Sequence, residues 1–339
     1  MTDPGSGPPE HPADLLRADE RLATWLTALA DFRTGVEITL PAGDDLVAIL
    51  LELTFPHEDI NDLVATRGSL LADPFWHELF ECAVRALLAG LGTVEQPLNT
   101  PALPAAAGPV GHWFHVFVYL AARPHVLAYH HTLGIPADVS RRTLADLGRH
   151  VAVHRRRHGT GGLLAVHWPK FAFRGELYQL GRLQFQRSYL LEPGAASAAA
   201  RGLPYRADDP VLMVHIPDFH GPLTPAACDE SLSLARDFFP RHFPTEDYRI
   251  AVCGSWLLDP QLREYLPNDT NIIRFQRRFH LDATTTSLPP ADTAPIGFVF
   301  GNPDLPPEAL PRHTTLQRAI GDHLRAGHHW HVHTGWFEL

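Results

Sequence analysis

Residues 211–239, VLMVHIPDFHGPLTPAACDESLSLARDFF, join a short apolar run to a punctuated helix start, and this junction constrains the fold more than any other stretch. Val211, Leu212, Met213, Val214 and Ile216 have the length and character of a buried strand. Thr224 then precedes Pro225, a capping hydroxyl followed by a proline at the first helical position. Leu232, Ala235 and Phe239 recur at helical spacing and give that helix an apolar face. The pattern repeats at once. Residues 250–258, IAVCGSWLL, are a second apolar run, and Asp259-Pro260 opens a second helix. Two such units in tandem predict an α/β sheet with a ligand crevice at the strand ends. A helix start directly after a strand also presents free N–H groups suited to an anion.

Composition narrows the class. The chain has 339 residues, so two domains are expected. It is 45% hydrophobic, and a net charge of −10 argues against a nucleic-acid binder. Cys82, Cys228 and Cys253 show no paired spacing, which favours a reducing cytosol over a disulfide framework. The first sixteen residues lack the basic and apolar regions of a signal peptide. No run reaches the roughly 18 apolar residues of a membrane span. Lys170 is the only lysine, and GxxxxGK[ST] is absent, so a P-loop is excluded.

Residues 1–12 read as a flexible tail and 13–159 as a helical domain, with 160–339 as a mixed α/β domain. Within the helical part, Leu15, Leu22, Leu26 and Leu29 keep one face. Helices are expected at 75–91, 113–122, 124–133 and 136–150, with a proline-rich loop at 96–108. Strands are expected at 163–168, 176–189, 271–280, 296–300 and 328–337. A loop is expected at 192–209, and a helix at 314–326 closed by Gly327.

Longer phrases carry a family resemblance: LADLGRHVAVHRRRHGTGGL (144–163), LYQLGRLQFQRSYL (177–190), the 214–239 segment, CGSWLLDPQLREYLPNDTNIIRFQRRF (253–279) and LPRHTTLQRAIGDHLRAGHHWHVHTGWF (310–337). Over residues 110–339 the chain resembles bacterial acyltransferase-type proteins that pair a helical N-terminal domain with a GCN5-related N-acetyltransferase-like (GNAT-like, acyl-CoA N-acyltransferase-like) C-terminal domain. The implied fold class is α+β. The resemblance implies that acyl-CoA, as co-substrate rather than a tightly bound cofactor, lies where two neighbouring strands splay. A loop and helix start would hold its pyrophosphate, and an amine would attack the thioester directly. The matching parts are strand 211–217, turn 218–224, helix 225–239 and strand 249–257. The turn departs from the family's glycine- and arginine-rich [Q/R]xxGx[G/A] loop, carrying Asp218 and one glycine, Gly221.

The candidates follow. His215 and Ser255 end the two strands and could act as base or acyl-oxygen donor; buried polar residues bonded to backbone are the alternative. The resemblance implies that Tyr265 protonates the leaving thiolate, against a half-buried structural tyrosine. Glu176 could be a base through water, or a solvated strand-end carboxylate. Donor-binding candidates are His220, Gly221, Leu223, Thr224, Ala226 and Arg274. Arg274 shares a predicted strand face with Arg278, which could clamp an anion or face solvent. His329, His331 and His333 alternate, so a strand would aim them together. Three ligands on one strand make a strained metal set, and no metal site is assigned. His125, His130 and His131 are read as structural. CGSWL is not GxSxG, and neither GTGGL nor LGRLQF is a dinucleotide fingerprint. The leading function is acyl transfer from acyl-CoA, or a related thioester, to an amine or other small nucleophile. Alternatives are a non-catalytic binding or regulatory protein of the same fold, and a His-dependent metalloenzyme. Small-molecule donor and acceptor are the expected partners, with no nucleic acid and no membrane.

Overall fold

A computed structural model describes residues 11–94, 100–282 and 289–339. The chain divides into two compact units, Met1–Arg155 with Gly159–Glu176, and Arg156–His158 with Leu177–Leu339.

The described part of the first unit is helical. Its central helix, Gly108–Thr132, buries residues 113–122 almost without interruption. Pro124 lies inside this helix, so the two short helices expected from sequence are one. Burial on every side outweighs the hydrogen bond that a proline removes. Trp25 and Trp76 pack on Phe114 at 6.2 and 5.6 Å between ring centres. Asp73 caps helix Pro74–Ala89 by accepting from the N–H groups of Phe75 and Trp76. The expected 136–150 helix is two, Ala137–Leu144 and Asp146–His158, the second closed by Gly159 at φ 72. Pro12 already opens a helix capped by His11, so the tail does not extend to residue 12. Residues 1–10 of that tail and 95–99, which overlap the predicted loop, lie outside the described residues. Residues 163–168 form no strand.

The second unit is built on a six-stranded mixed sheet: β1 (Leu177–Leu180), β2 (Leu183–Tyr189), β3 (Pro210–His215), β4 (Ile250–Ser255), β5 (His280–Leu281) and β6 (His333–Glu338), in the order β1-β2-β3-β4-β6-β5. β3 and β4 are the parallel pair; the other pairings are antiparallel. The tandem units read from sequence are therefore neighbours. The expected 176–189 strand is a hairpin whose two-residue loop starts at Gly181, φ 64. Only glycine takes that backbone at low cost. Both faces of the hairpin are buried, including Gln179, Gln184 and Gln186. Helix Pro225–His242 covers one face through Phe238 on Tyr178 (5.0 Å) and Phe239 on Phe185 (6.5 Å). Helix Glu192–Ala199, expected as loop, puts Ala195 and Ala198 against Val211, Ile250 and Trp336.

Two further strand expectations fail. Residues 271–276 and 293–300 are helices, the second ended by Gly301 at φ 83. Residues 296–300 are a short apolar run, and Ile272, Ile273 and Phe275 suit a strand as well as a helix, so periodicity over such short segments does not separate strand from buried helix. Helix Thr315–Arg325 follows its sequence signals, with Thr314 and Gln317 forming a reciprocal capping box. No described helix is long and apolar enough to cross a membrane.

Candidate active site

β3 and β4 pair at Val211–Ile250, Leu212–Ala251 and Met213–Val252. Beyond these pairs they part. β3 follows β2 as far as His215 opposite Gln184, while β4 follows β6 as far as Ser255 opposite His333. Local sequence explains the divergence. Pro217 has no N–H to extend the ladder, and Trp256–Leu258 turns β4 into a 3-10 helix. The result is a wedge between two parallel carboxyl ends, with Gly254 exposed on one arm.

The turn after β3 closes one side of this wedge. Phe219 (φ 64) and Gly221 (φ 75) both adopt left-handed backbone, and a side chain on Gly221 would meet open space. Positive φ is strained for phenylalanine. Arg156 supports it, its guanidinium 4.7 Å from the Phe219 ring centre and 3.2 Å from the Asp218 carboxylate. Arg182, from the β1–β2 loop, donates through Nε to the Gly221 carbonyl (2.9 Å) and through Nη1 to the Pro217 carbonyl (3.1 Å). Thr224 caps helix 225–242 by accepting from Ala227 N–H at 3.2 Å. Arg278 pairs with Asp229 at 2.7 Å and donates to the Pro225 carbonyl. Three arginines thus reach the turn and helix start from elsewhere in the unit. Arg156 and Arg278 offset the carboxylates of Asp218 and Asp229, and Arg182 adds positive charge beside a helix start that favours anions.

Next to the turn lies a cavity of about 410 Å³, lined by Leu223, Leu257, Leu266, Ile272, Phe298 and Leu316, with Arg182, Thr270 and Asn271 among its polar groups.

Of the sequence candidates, His220, Gly221, Leu223, Thr224 and Ala226 belong to this turn and helix start. Arg274 does not: it lies exposed on helix Asn271–Gln276, and Arg278 takes the position by Pro225. The two share no strand face, because that segment is helical. His215 stands at the end of β3 with Nε2 2.9 Å from Gln186 Oε1. Ser255 accepts from Leu257 N–H at 3.1 Å, acting as the cap of the 3-10 helix. Tyr265 reaches His323, hydroxyl to Nδ1 3.1 Å, among Trp330 and its apolar neighbours. Burial, then Glu264 and Asp322, raise its pKa. Glu176 closes the first unit in a buried pair with Arg174 Nε at 2.7 Å.

The histidine row is not a ligand set. β6 begins at His333, so His329 and His331 precede the strand. His329 pairs with Asp292 (2.7 Å), His331 Nδ1 lies 3.3 Å from the Pro289 carbonyl, and His333 Nε2 lies 3.7 Å from Asp259. Among the described residues no group of three or more His, Cys, Asp or Glu is placed to hold a metal. Cys253 is buried, and desolvation pushes its thiol up to about 12. It is no nucleophile.

Arg156 and the pairing of Arg182 with the turn were missed in the sequence. The Leu-Gly-Arg-Leu hairpin signal was available for Arg182.

Comparison with known proteins follows the same outline. The family model described as an N-acyltransferase N-terminal domain matches residues 44–175, and that described as a GNAT-like C-terminal domain matches 177–337. None of the curated proteins matches the chain. Among solved structures, an acyltransferase in complex with CoA and 10C-Teicoplanin is 37% identical with a TM-score of 0.87, covering 97% of this chain and 100% of that one. An acyltransferase in complex with decanoyl-CoA and teicoplanin is 38% identical at 0.86, with the same coverage. An acyltransferase mutant in complex with octanoyl-CoA is 37% identical at 0.86, again with that coverage.

Proposed function

The chain belongs to the family of acyltransferases that join an N-acyltransferase N-terminal domain to a GNAT-like C-terminal domain, and from that premise we propose that it moves a medium-length acyl chain from acyl-CoA to an amine of a teicoplanin-like acceptor. The wedge between β3 and β4, opening beside an arginine-held turn, is the observation that carries this reading. The pyrophosphate sits against the turn 218–224 and the start of helix 225–242, where backbone N–H groups and the helix dipole favour it. The acyl chain lies in the apolar cavity beside Leu223 and Leu257, each buried methylene contributing about 0.8 kcal/mol.

The amine attacks the thioester carbonyl. A C–N bond forms, the C–S bond breaks, the nitrogen loses a proton and the thiolate gains one. Positioning and a donor near the carbonyl oxygen suffice, and no metal is required. His215, at the open end of β3, is the base we assign, oriented by Gln186. Ser255 at the facing strand end is the polar group assigned to the acyl oxygen. Tyr265 is assigned to the leaving thiolate. Three buried cysteines without disulfides fit a cytosolic enzyme that uses a CoA thioester.

The test is release of free CoA thiol from decanoyl-CoA in the presence and absence of a teicoplanin-like amine. Amine-dependent release supports the reading. Decanoyl-CoA that binds without any turnover across a panel of amines would instead favour a non-catalytic binding protein.

A further inference from the structure

Arg157 stands out among the charged groups near the turn. Its Nε is buried without a hydrogen-bond partner among the described residues. No described carboxylate is within ion-pair distance of it, since Asp218 is held by Arg156. Asp218 and Arg156 nonetheless act on Arg157 electrostatically, so it lies close to the turn. On its other side is Gly297. A Cβ there would come 3.3 Å from the Arg157 Nη1, closer than side chains usually pack. The next residue, Phe298, lines the apolar cavity. Arg157 therefore spans from the turn to the cavity wall, and the missing side chain of Gly297 leaves room for its guanidinium.

The charge balance is uneven. Arg156 and Arg157 face one carboxylate, Asp218, and one positive charge is left over. Burial lowers the pKa of Arg157, Asp218 partly offsets this, and Arg156 adds to it. A guanidinium that is partly stripped of water and lacks a counter-ion is costly unless an anion completes it. Its planar fork suits two oxygens of one phosphate.

We propose that Arg157 is a phosphate-binding residue that takes an oxyanion of the donor's nucleotide, a contact lying outside the turn and helix start already described. The inference rests on the reading of the donor as a CoA thioester. Apart from the helix-start N–H groups, the site then consists of Arg157, with Arg156 neutralising Asp218 so that the turn does not repel the phosphate.

The experiment measures binding of CoA and of 3′-dephospho-CoA by calorimetry to the full-length protein and to Arg157→Gln and Arg157→Lys. Turnover of a decanoyl-pantetheine thioester, which carries no phosphate, is followed in parallel. Losing one charge-assisted contact is expected to weaken CoA binding about tenfold or more in Arg157→Gln, with a smaller loss in Arg157→Lys. Pantetheine-thioester turnover stays at the wild-type level. A loss confined to CoA assigns the contact to the 3′-phosphate, and an equal loss with dephospho-CoA assigns it to the pyrophosphate. Unchanged CoA affinity in Arg157→Gln overturns the proposal. So does an equal fall in pantetheine-thioester turnover, which would make Arg157 structural. Wild-type protein that binds neither form of CoA overturns the donor reading itself.

Discussion

Removing Arg182 separates the turn's geometry from the stability of the unit. Arg182→Ala deletes two guanidinium hydrogen bonds, to the carbonyls of Gly221 and Pro217. A hydrogen bond to a charged group contributes about 1.5–3 kcal/mol when well buried. Arg182 is only half-buried and the Gly221 bond is exposed, so about 1 kcal/mol each is the working value after solvent screening. The two together hold the turn by about 2 kcal/mol, equivalent to about 30-fold in an equilibrium constant. That energy orders a segment with two left-handed residues, so its loss is felt when the donor must find the turn in place. The Michaelis constant for decanoyl-CoA should rise by up to about 30-fold, with little change in turnover at saturation. Arg182→Lys, which keeps charge but not the fork, should fall between. The assay is initial-rate thiol release against donor concentration, with a thermal melt of each variant. An unchanged Michaelis constant together with a lower melting temperature would refute the reasoning and make Arg182 a structural tie.

Other perturbations have equally definite outcomes. Leu316→Trp narrows the cavity and should cut the specificity constant for decanoyl-CoA relative to acetyl-CoA on the order of tenfold; equal losses for both donors would place the acyl chain elsewhere. Asp146→Asn removes a buried carboxylate that accepts from Arg149 Nε (2.7 Å) and Trp168 Nε1 (3.1 Å), and it should destabilise the first unit by about 3–5 kcal/mol in chemical denaturation. The direction agrees with the titration of Asp146: burial raises its pKa, but hydrogen bonds from His150 and the charge of Arg149 outweigh this and hold it far below the usual range. Acid should also destabilise the fold. Burial lowers His115 and His130 to about 4, so the unfolded chain takes up protons first. Their stability contribution is whole above the unfolded value of about 6.5 and is lost as pH falls towards 4, by about 3 kcal/mol for each histidine. A melting temperature that stays flat from pH 7.5 to 4.5 would contradict this.

The strand–Pro–helix unit at 210–242 was legible because each of its signals is local: an apolar run, a capping threonine and a proline at the first turn. The helix after Thr314 was legible for the same reason. Helix Asn271–Gln276 was not. Ile272, Ile273 and Phe275 satisfy strand preferences, and only tertiary packing of Ile273 and Phe275 selects the helix. Gln276 adds a bond that no strand would make, donating to the carbonyls of Leu257 and Asp259 at 2.8 Å. The candidate site was half legible. Its turn could be read, and so could its departure from a glycine-rich loop. The compensating arginines could not, because Arg156, Arg182 and Arg278 converge from positions between 26 and 122 residues apart in pairs only after folding. Sequence proximity instead drew attention to Arg274, which is exposed, and to three histidines that end on three different partners.

The central claim is that a CoA thioester enters the wedge between β3 and β4 with its phosphates on the 218–224 turn. Calorimetric titration of the intact protein with decanoyl-CoA, CoA and decanoyl-pantetheine tests it most directly. The account predicts saturable binding in the order decanoyl-CoA, then CoA, with the pantetheine thioester weaker than decanoyl-CoA because it lacks the phosphates. No heat from any of the three, or equal affinity with and without the nucleotide, would contradict it.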